Sequence, residues 1–198
     1  MIPPLVLPCA YLPPIPFFAA LLQSGGGRLE QYDNYQKQTF RNRCVIAGPN
    51  GTQILTIPVE KTSGQKTLMR DLRISDHGNW RHLHWNALES SYGKSPFFEY
   101  YADDLCPFYT ERRWTYLVDF NMQLTLKLLE LLDIDIRPTL TDSFMATDLH
   151  QWAEPSALQR LPFVPYYQVF SQRHGFIPHL SIVDLLFNMG PEAVLSLR

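Results

Sequence analysis

The apolar positions of this chain fall into two textures, short unbroken runs and strict alternations in its first third and helical spacings later on. Residues 4–10 (PLVLPCA) form an apolar run short enough for a buried strand. Tyr11 to Pro16 (YLPPIP) reads as a rigid turn, because each proline fixes φ and lacks an N–H. Proline is tolerated in the first turn of a helix, so a helix is predicted from about Pro16 to Gln23, stopped by Ser24-Gly25-Gly26-Gly27. RLEQYD reads as a second strand. CVIAG and TQILTIPV flank Pro49-Asn50-Gly51, and Asn-Gly, which favours positive φ, marks a hairpin. Residues 60–66 read as a polar loop. In LMRDLRIS, Leu72 and Ile74 alternate with Arg73 and Ser75, which predicts a further strand.

From there the spacing becomes helical. Ser75 or Asp76 can cap a helix carrying NWRHLHWNALESSYG, which Gly93 closes. A short aromatic helix is predicted over Pro96–Tyr101. A long amphipathic one follows over about Trp114–Leu132, with Leu117, Phe120, Leu124, Leu128 and Leu131 three or four apart. Residues 137–165 show neither period. PYYQVF (165–170) reads as a last strand, and SIVDLLFNMGPEAV as a C-terminal helix with Gly190-Pro191 as its stop. The predicted class is α/β (α+β): an N-terminal mixed β-sheet with a helix after the first strand, then a mostly helical half. No repeat or linker interrupts the chain, which predicts one domain over 1–198, strand-rich to residue 76 and helical from 77.

Composition narrows the picture. A chain of 198 residues, 45% hydrophobic and 18% charged, can bury a core without staples. A net charge of −2 argues against nucleic-acid binding through TFRNR and NWRHLHW, where basic and aromatic residues alternate. Three widely spaced cysteines, Cys9, Cys44 and Cys106, with no CxxC, indicate a reducing compartment. The apolar first residues lack a basic region and carry prolines at 3, 4, 8, 13, 14 and 16, unlike a signal peptide or a membrane helix. The expected location is the cytoplasm, with no membrane span.

Three clusters could carry chemistry. At the Tyr11-Leu12-Pro13-Pro14 junction a strand enters a helix N-terminus, a natural anion site, though it lacks the glycines and lysine of a P-loop. It reads equally as a proline-rich turn that fixes the helix. The second cluster holds Asp33, Arg41, Asn42 and Arg43. Two arginines one residue apart on an extended segment share a face and can grip a phosphate or carboxylate. The bland alternative is a solvated edge whose arginines pair with Asp33 and Glu30. The densest cluster runs from Asp76 to Asn86 (DHGNWRHLHWN) and includes His77, Asn79, Trp80, His82 and His84. His82 and His84 are i, i+2, a poor zinc spacing, so no metal is expected. His77 or His84 could move a proton with Asp76 orienting it. Each histidine reads equally as a core residue bonded to nearby backbone. Cys9 reads as inert core, and Asp103-Asp104 as a helix start rather than a dyad. Asp184 and Asn188 could face a pocket or solvent.

In their order, AYLPPIPFFAALL, LEQYDNYQKQTFRNRCVIAGPNG, LTIPVEK, RISDHGNWRHLHWNALESSYGKSPFFEYY and DLLFNMGPEAV resemble the WbqC-like family, in the branch found in Bacteroidetes. The likeness spans most of the chain and is weakest over 137–165. Many relatives carry Gln-Pro before the Tyr-Leu-Pro turn, where this chain has Pro8-Cys9-Ala10. The family's namesake is associated with O-antigen and other surface-polysaccharide gene clusters. The resemblance implies an enzyme of glycan synthesis, such as an acyl or aminoacyl transferase acting on a nucleotide-linked sugar. In that reading Arg41 and Arg43 bind phosphate, Trp80 and Tyr11 wall the sugar, His77 or His84 moves a proton, and no cofactor is needed. The alternative is a non-catalytic partner of glycan assembly, docking through SPFFEYY and the C-terminal helix.

Overall fold

The computed structural model describes residues 5–60, 66–146 and 152–198. Strand β1 (Val6–Pro8) leads into helix α1 (Ile15–Ser24), then β2 (Arg28–Glu30) and the hairpin β3 (Arg43–Gly48) and β4 (Gly51–Thr56). Four helices follow: α2 (Trp80–Tyr92), α3 (Phe98–Leu105), α4 (Pro107–Thr110) and α5 (Leu117–Leu131). β5 (Thr139–Leu140), α6 (Pro155–Leu158), α7 (Ser171–His174) and α8 (Ile182–Met189) complete the order, with a 3-10 turn over Gly190–Leu197. The class is α/β, as expected, but the parallel and antiparallel pairings lie in separate sheets. β1, β2 and β5 form a parallel sheet in that order, with Leu7, Leu29 and Leu140 in one row, and β3 pairs only with β4.

The proline turn does what its stereochemistry demands. Leu12 takes a φ of 39°, and the unsatisfied groups at the start of α1 are met by another helix entrance. Ile15 N–H donates to Leu180 O at 3.2 Å and Ile182 N–H to Pro13 O at 2.9 Å, which stitches the N-termini of α1 and α8 together. In the hairpin the positive φ falls on Gly51 (110°), after the Pro49-Asn50 turn, and not on Asn50.

Several elements depart from the pattern. LMRDLRIS is not a strand: Met69–Asp71 is a 3-10 turn, and Leu68, Arg73 and Ile74 make isolated bridges, to Asn34, Tyr116 and Val59. Alternation there reflects one buried side, not a ladder. The second strand stops at Glu30, because its carboxylate bonds the Tyr32 N–H and turns the chain. Residues 165–170 form no strand, since the Gln168 amide bonds Ile177 and Asp184 in place of a neighbouring strand. Asp103-Asp104 lies in the last turns of α3, not at its start. The expected loop over 60–66 lies largely outside the described residues.

One continuous apolar cluster runs from Leu7 to Leu197 and takes in β1, α1, β3, α2, α5 and α8. α8 is buried on every side and packs on α1, α3 and β3. Its Asp184 and Asn188 are therefore interior, not at a pocket or in solvent. The Asp184 carboxylate accepts bonds from Tyr92 Oη (2.7 Å), Tyr166 Oη (2.6 Å) and Gln168 Nε2 (3.1 Å). Burial pushes its pKa up, against those three donors. Among the described residues no helix is long and apolar enough to cross a membrane.

Gly190 ends α8 at a φ of 55°, and a Cβ there would sit 2.5 Å from the Phe97 ring. Gly190→Ala should cost about 2 kcal/mol, through both backbone strain and overpacking, read as a lower urea midpoint at unchanged m.

Candidate functional site

The sequence-predicted residues separate into three places. Tyr11, fully buried, joins a closed hydrogen-bonded chain. Its hydroxyl lies 2.9 Å from Tyr109 Oη and 2.9 Å from His84 Nδ1, and His84 Nε2 lies 3.2 Å from Thr56 O. A carbonyl only accepts, so Nε2 carries the imidazole proton. Nδ1 then accepts from Tyr11, and Tyr11 from Tyr109. The Trp80 ring meets His84 edge-on at 5.1 Å, as expected of an i, i+4 pair. Burial lowers the His84 pKa to about 4, against a smaller upward pull from Thr56, and raises both tyrosines.

Arg41 and Asp33 form the second place. Their buried side chains are ion-paired. This is the structural alternative foreseen for the arginines, and it leaves Arg41 without a free donor face toward solvent. Asn42 is tied to Ile57 by a 2.8 Å bond from Nδ2. Arg43 opens β3 half-buried, with Nε unpartnered. Arg41 precedes the strand in a turn, so the alternation that would aim both arginines one way does not extend to it. Neither arginine lines any of the cavities described here.

The third place is open. Asp76, Asn79 and Trp80 line a cavity of about 270 Å³ with Arg81, His82, Trp85, Tyr109 and Arg112. Gly78 and Asn79 both take left-handed φ (74° and 48°), which turns the chain sharply into α2 and brings Asp76 back over its first turn. Asp76 does not orient a histidine. Its carboxylate bonds Arg81 and reaches Arg112 at 3.4 Å. The Arg81 guanidinium lies 4.6 Å from the Trp80 ring centroid, and Arg112 is largely exposed. Trp80 Nε1 and Arg81 Nε are shielded and have no partner. Two guanidinium groups face one carboxylate, the Nε of one of them is idle, and so is the Trp80 Nε1 beside it, so the cavity favours anions and hydroxyl-rich ligands. His82 is the histidine of this wall, with Nε2 3.0 Å from Asn86 Nδ2. His77 stands exposed outside it.

The family model described as "WbqC-like protein family" matches residues 9–161 and 157–196. The chain belongs to the WbqC-like family. The chain is also 32% identical over 199 residues, 84% of this chain and 86% of the relative's own length, to the uncharacterized protein Rv1507c of Mycobacterium tuberculosis. No solved structure is significantly similar to the chain. Within this WbqC-like chain the segments that carried the resemblance meet at two levels. DHGNWRHLHW supplies the cavity wall, and AYLPP supplies Tyr11 one layer behind it.

Sequence reasoning placed Arg81, His82 and Trp85 inside the dense segment but did not single them out as site residues, although they lie on the first turns of α2. It had no means to find Tyr109 or Arg112, which come from the α4 region. The end of β2 offers no open site either. The buried Glu30 carboxylate at the end of β2 accepts from Tyr32 N–H (2.6 Å), Thr141 Oγ1 (3.0 Å) and Met145 N–H (2.7 Å). The alternative docking surface fares poorly too. α8 is buried, and of the SPFFEYY aromatics Tyr100 is exposed (75%) while Phe98 and Tyr101 are core.

Two predictions follow from this geometry. The unfolded chain takes a proton on His84 below about pH 6.5, whereas the folded chain does so only near 4. Stability is therefore full above pH 6.5 and falls as pH drops toward 4, by about 3 kcal/mol. His84→Gln should flatten that limb in urea melts taken across the range. Arg41→Ala, which strands the Asp33 charge, should cost about 3 kcal/mol or more. The double change Arg41→Met with Asp33→Asn should cost less, in the same melts.

Proposed function

We propose that the protein binds a phosphorylated small molecule, a nucleotide-linked sugar above all, in the Asp76–Arg112 cavity. The observation that carries this reading is the pair of idle, shielded donors, Trp80 Nε1 and Arg81 Nε, on a wall that also holds the Arg112 guanidinium. Buried donors without partners are costly in a folded chain, and a ligand with acceptor oxygens removes that cost. The exposed Arg112 suits a phosphate, and Trp85 and Tyr109 offer apolar faces of the kind sugar rings pack on. A cavity of about 270 Å³ lies just under the usual range for whole ligands of drug size, so it takes the phosphorylated sugar end while the nucleoside lies outside.

The association of the family with surface-polysaccharide synthesis supports a place in cell-surface glycan assembly, with acyl or aminoacyl transfer to the bound sugar as the reaction. In that reaction the sugar hydroxyl or amine attacks the carbonyl carbon of an acyl thioester, the carbonyl–sulfur bond breaks and the sulfur leaves as a thiolate. His82, not His77 or His84, takes the proton of the attacking group on Nε2 once that nitrogen releases the Asn86 amide. His84 has both ring nitrogens engaged inside the protein, and His77 is off the wall.

Titration with UDP-glucose and a panel of nucleotide-sugars, followed by melting temperature and calorimetry, tests the binding. Saturation at a hundred times Kd should stabilise the fold by about 2.7 kcal/mol. Arg112→Ala should weaken binding at least about tenfold without lowering the melting temperature of the free protein. No shift with any of these compounds at millimolar concentration overturns the reading.

A further inference from the structure

Helix α2 has a second cavity at its other end. The two cavities share no lining residue, and they adjoin where the Trp85 ring of the first packs on the Phe98 ring of the second, centroids 5.9 Å apart. The distal cavity, about 750 Å³, is lined by Glu89, Ser90, Ser91 and Lys94 from the end of α2, by Phe98, Glu99 and Asp103 from α3, and by Val169 and Phe170. Its charge is the reverse of the first site. Three carboxylates stand against the one ammonium of Lys94. None of Glu89, Glu99 and Asp103 forms an ion pair among the described residues. Glu99 and Asp103 are i, i+4 on α3, a like-charged spacing that works against the helix unless a cation sits between them. The negative end of the α2 dipole points the same way.

A second observation is independent of this charge. Ser91 is only 3% exposed, lines the cavity, and its hydroxyl has no hydrogen-bond partner. Shielded and idle, it can accept from an N–H group. Beside it, Phe98, Val169 and Phe170 give an apolar wall, and aromatic faces also attract cations. Acceptors at the rim, one buried acceptor and an apolar wall together describe a ligand that is cationic at one end and aliphatic along its length.

We propose that this cavity binds a primary ammonium carried on an aliphatic stem. The charge sits among Glu89, Glu99 and Asp103, and the stem lies against Phe98 and Phe170. The site is separate from the anion cavity and does not depend on what that cavity holds. The same chemistry is offered by a free diamine and by a lysine side chain of another protein.

Calorimetric titration of the full chain with 1,5-diaminopentane and with Nα-acetyl-lysine methylamide tests it. Saturable one-site binding of at least one probe is expected, reduced at least about tenfold in the double variant Glu99→Gln/Asp103→Asn and more mildly in Ser91→Ala. Binding by the diamine alone assigns the site to free amines, by the lysine amide alone to a protein side chain, and by both to either source. Both substituted acids are on the surface, and an unchanged melting temperature of the double variant controls for its fold whatever the other cavity binds. Absence of saturable binding by either probe at millimolar concentration overturns the proposal. So does equal binding by the double variant, or by an Nε-acetylated lysine amide.

Discussion

Three side chains, Tyr109, Tyr11 and His84, are sunk into the apolar interior and depend on a single backbone carbonyl for their order. Thr56 O can only accept, and from that one fact the direction of every bond in the chain follows. The chain joins the exit of β1, the end of β4, the middle of α2 and the short helix α4. Breaking it would leave polar groups in a region where none can reach water, so the four segments hold one relative position. Tyr109 belongs both to this interior network and to the cavity wall, and Trp80 of that wall packs edge-on against Tyr109 and His84, so the open site inherits its geometry from the closed one.

The same economy recurs elsewhere. Asp184 is held by two phenols and an amide, Glu30 by two backbone N–H groups and a threonine, and Asp33 by Arg41. Each of these carboxylates has donors arranged around it, and Asp184 and Glu30 tie together segments distant in the chain. What separates them from Asp76 is access. Asp76 is half exposed, shares its oxygens between two arginines, and stands beside donors that remain idle. Burial and unmet bonding capacity, more than residue type, sort the polar side chains of this protein into struts and binding groups.

Much of the framework was legible from sequence because it rests on local rules. Prolines at the head of α1, the glycine-bounded hairpin and the three-four spacing of α5 each act within a few residues, and each is found. LMRDLRIS misled because alternation reports a buried side, which an irregular segment with one packed face also has. Arg41 misled because it lies just ahead of the strand whose geometry was assumed for it. The cavity was half legible. Asp76, Asn79 and Trp80 were read from one dense segment, but Arg112 lies more than two turns of chain and a whole helix beyond α3, and no sequence spacing announces that it returns to Asp76. His84 was singled out for the property that the fold removes: burial holds it neutral and both its nitrogens are taken.

The parallel sheet closes late. β2 is its middle strand, yet β5, which completes it, follows some 110 residues behind, as the bond from Gln31 Nε2 to Thr141 O marks. During synthesis that stretch takes roughly 5–20 s to emerge. Throughout that time one edge of β2 has no partner and the Glu30 carboxylate lacks two of its three donors. A nascent or truncated chain ending before residue 139 is thus an open template for strands of other chains, and the ribosome, not the finished fold, governs how long that hazard lasts.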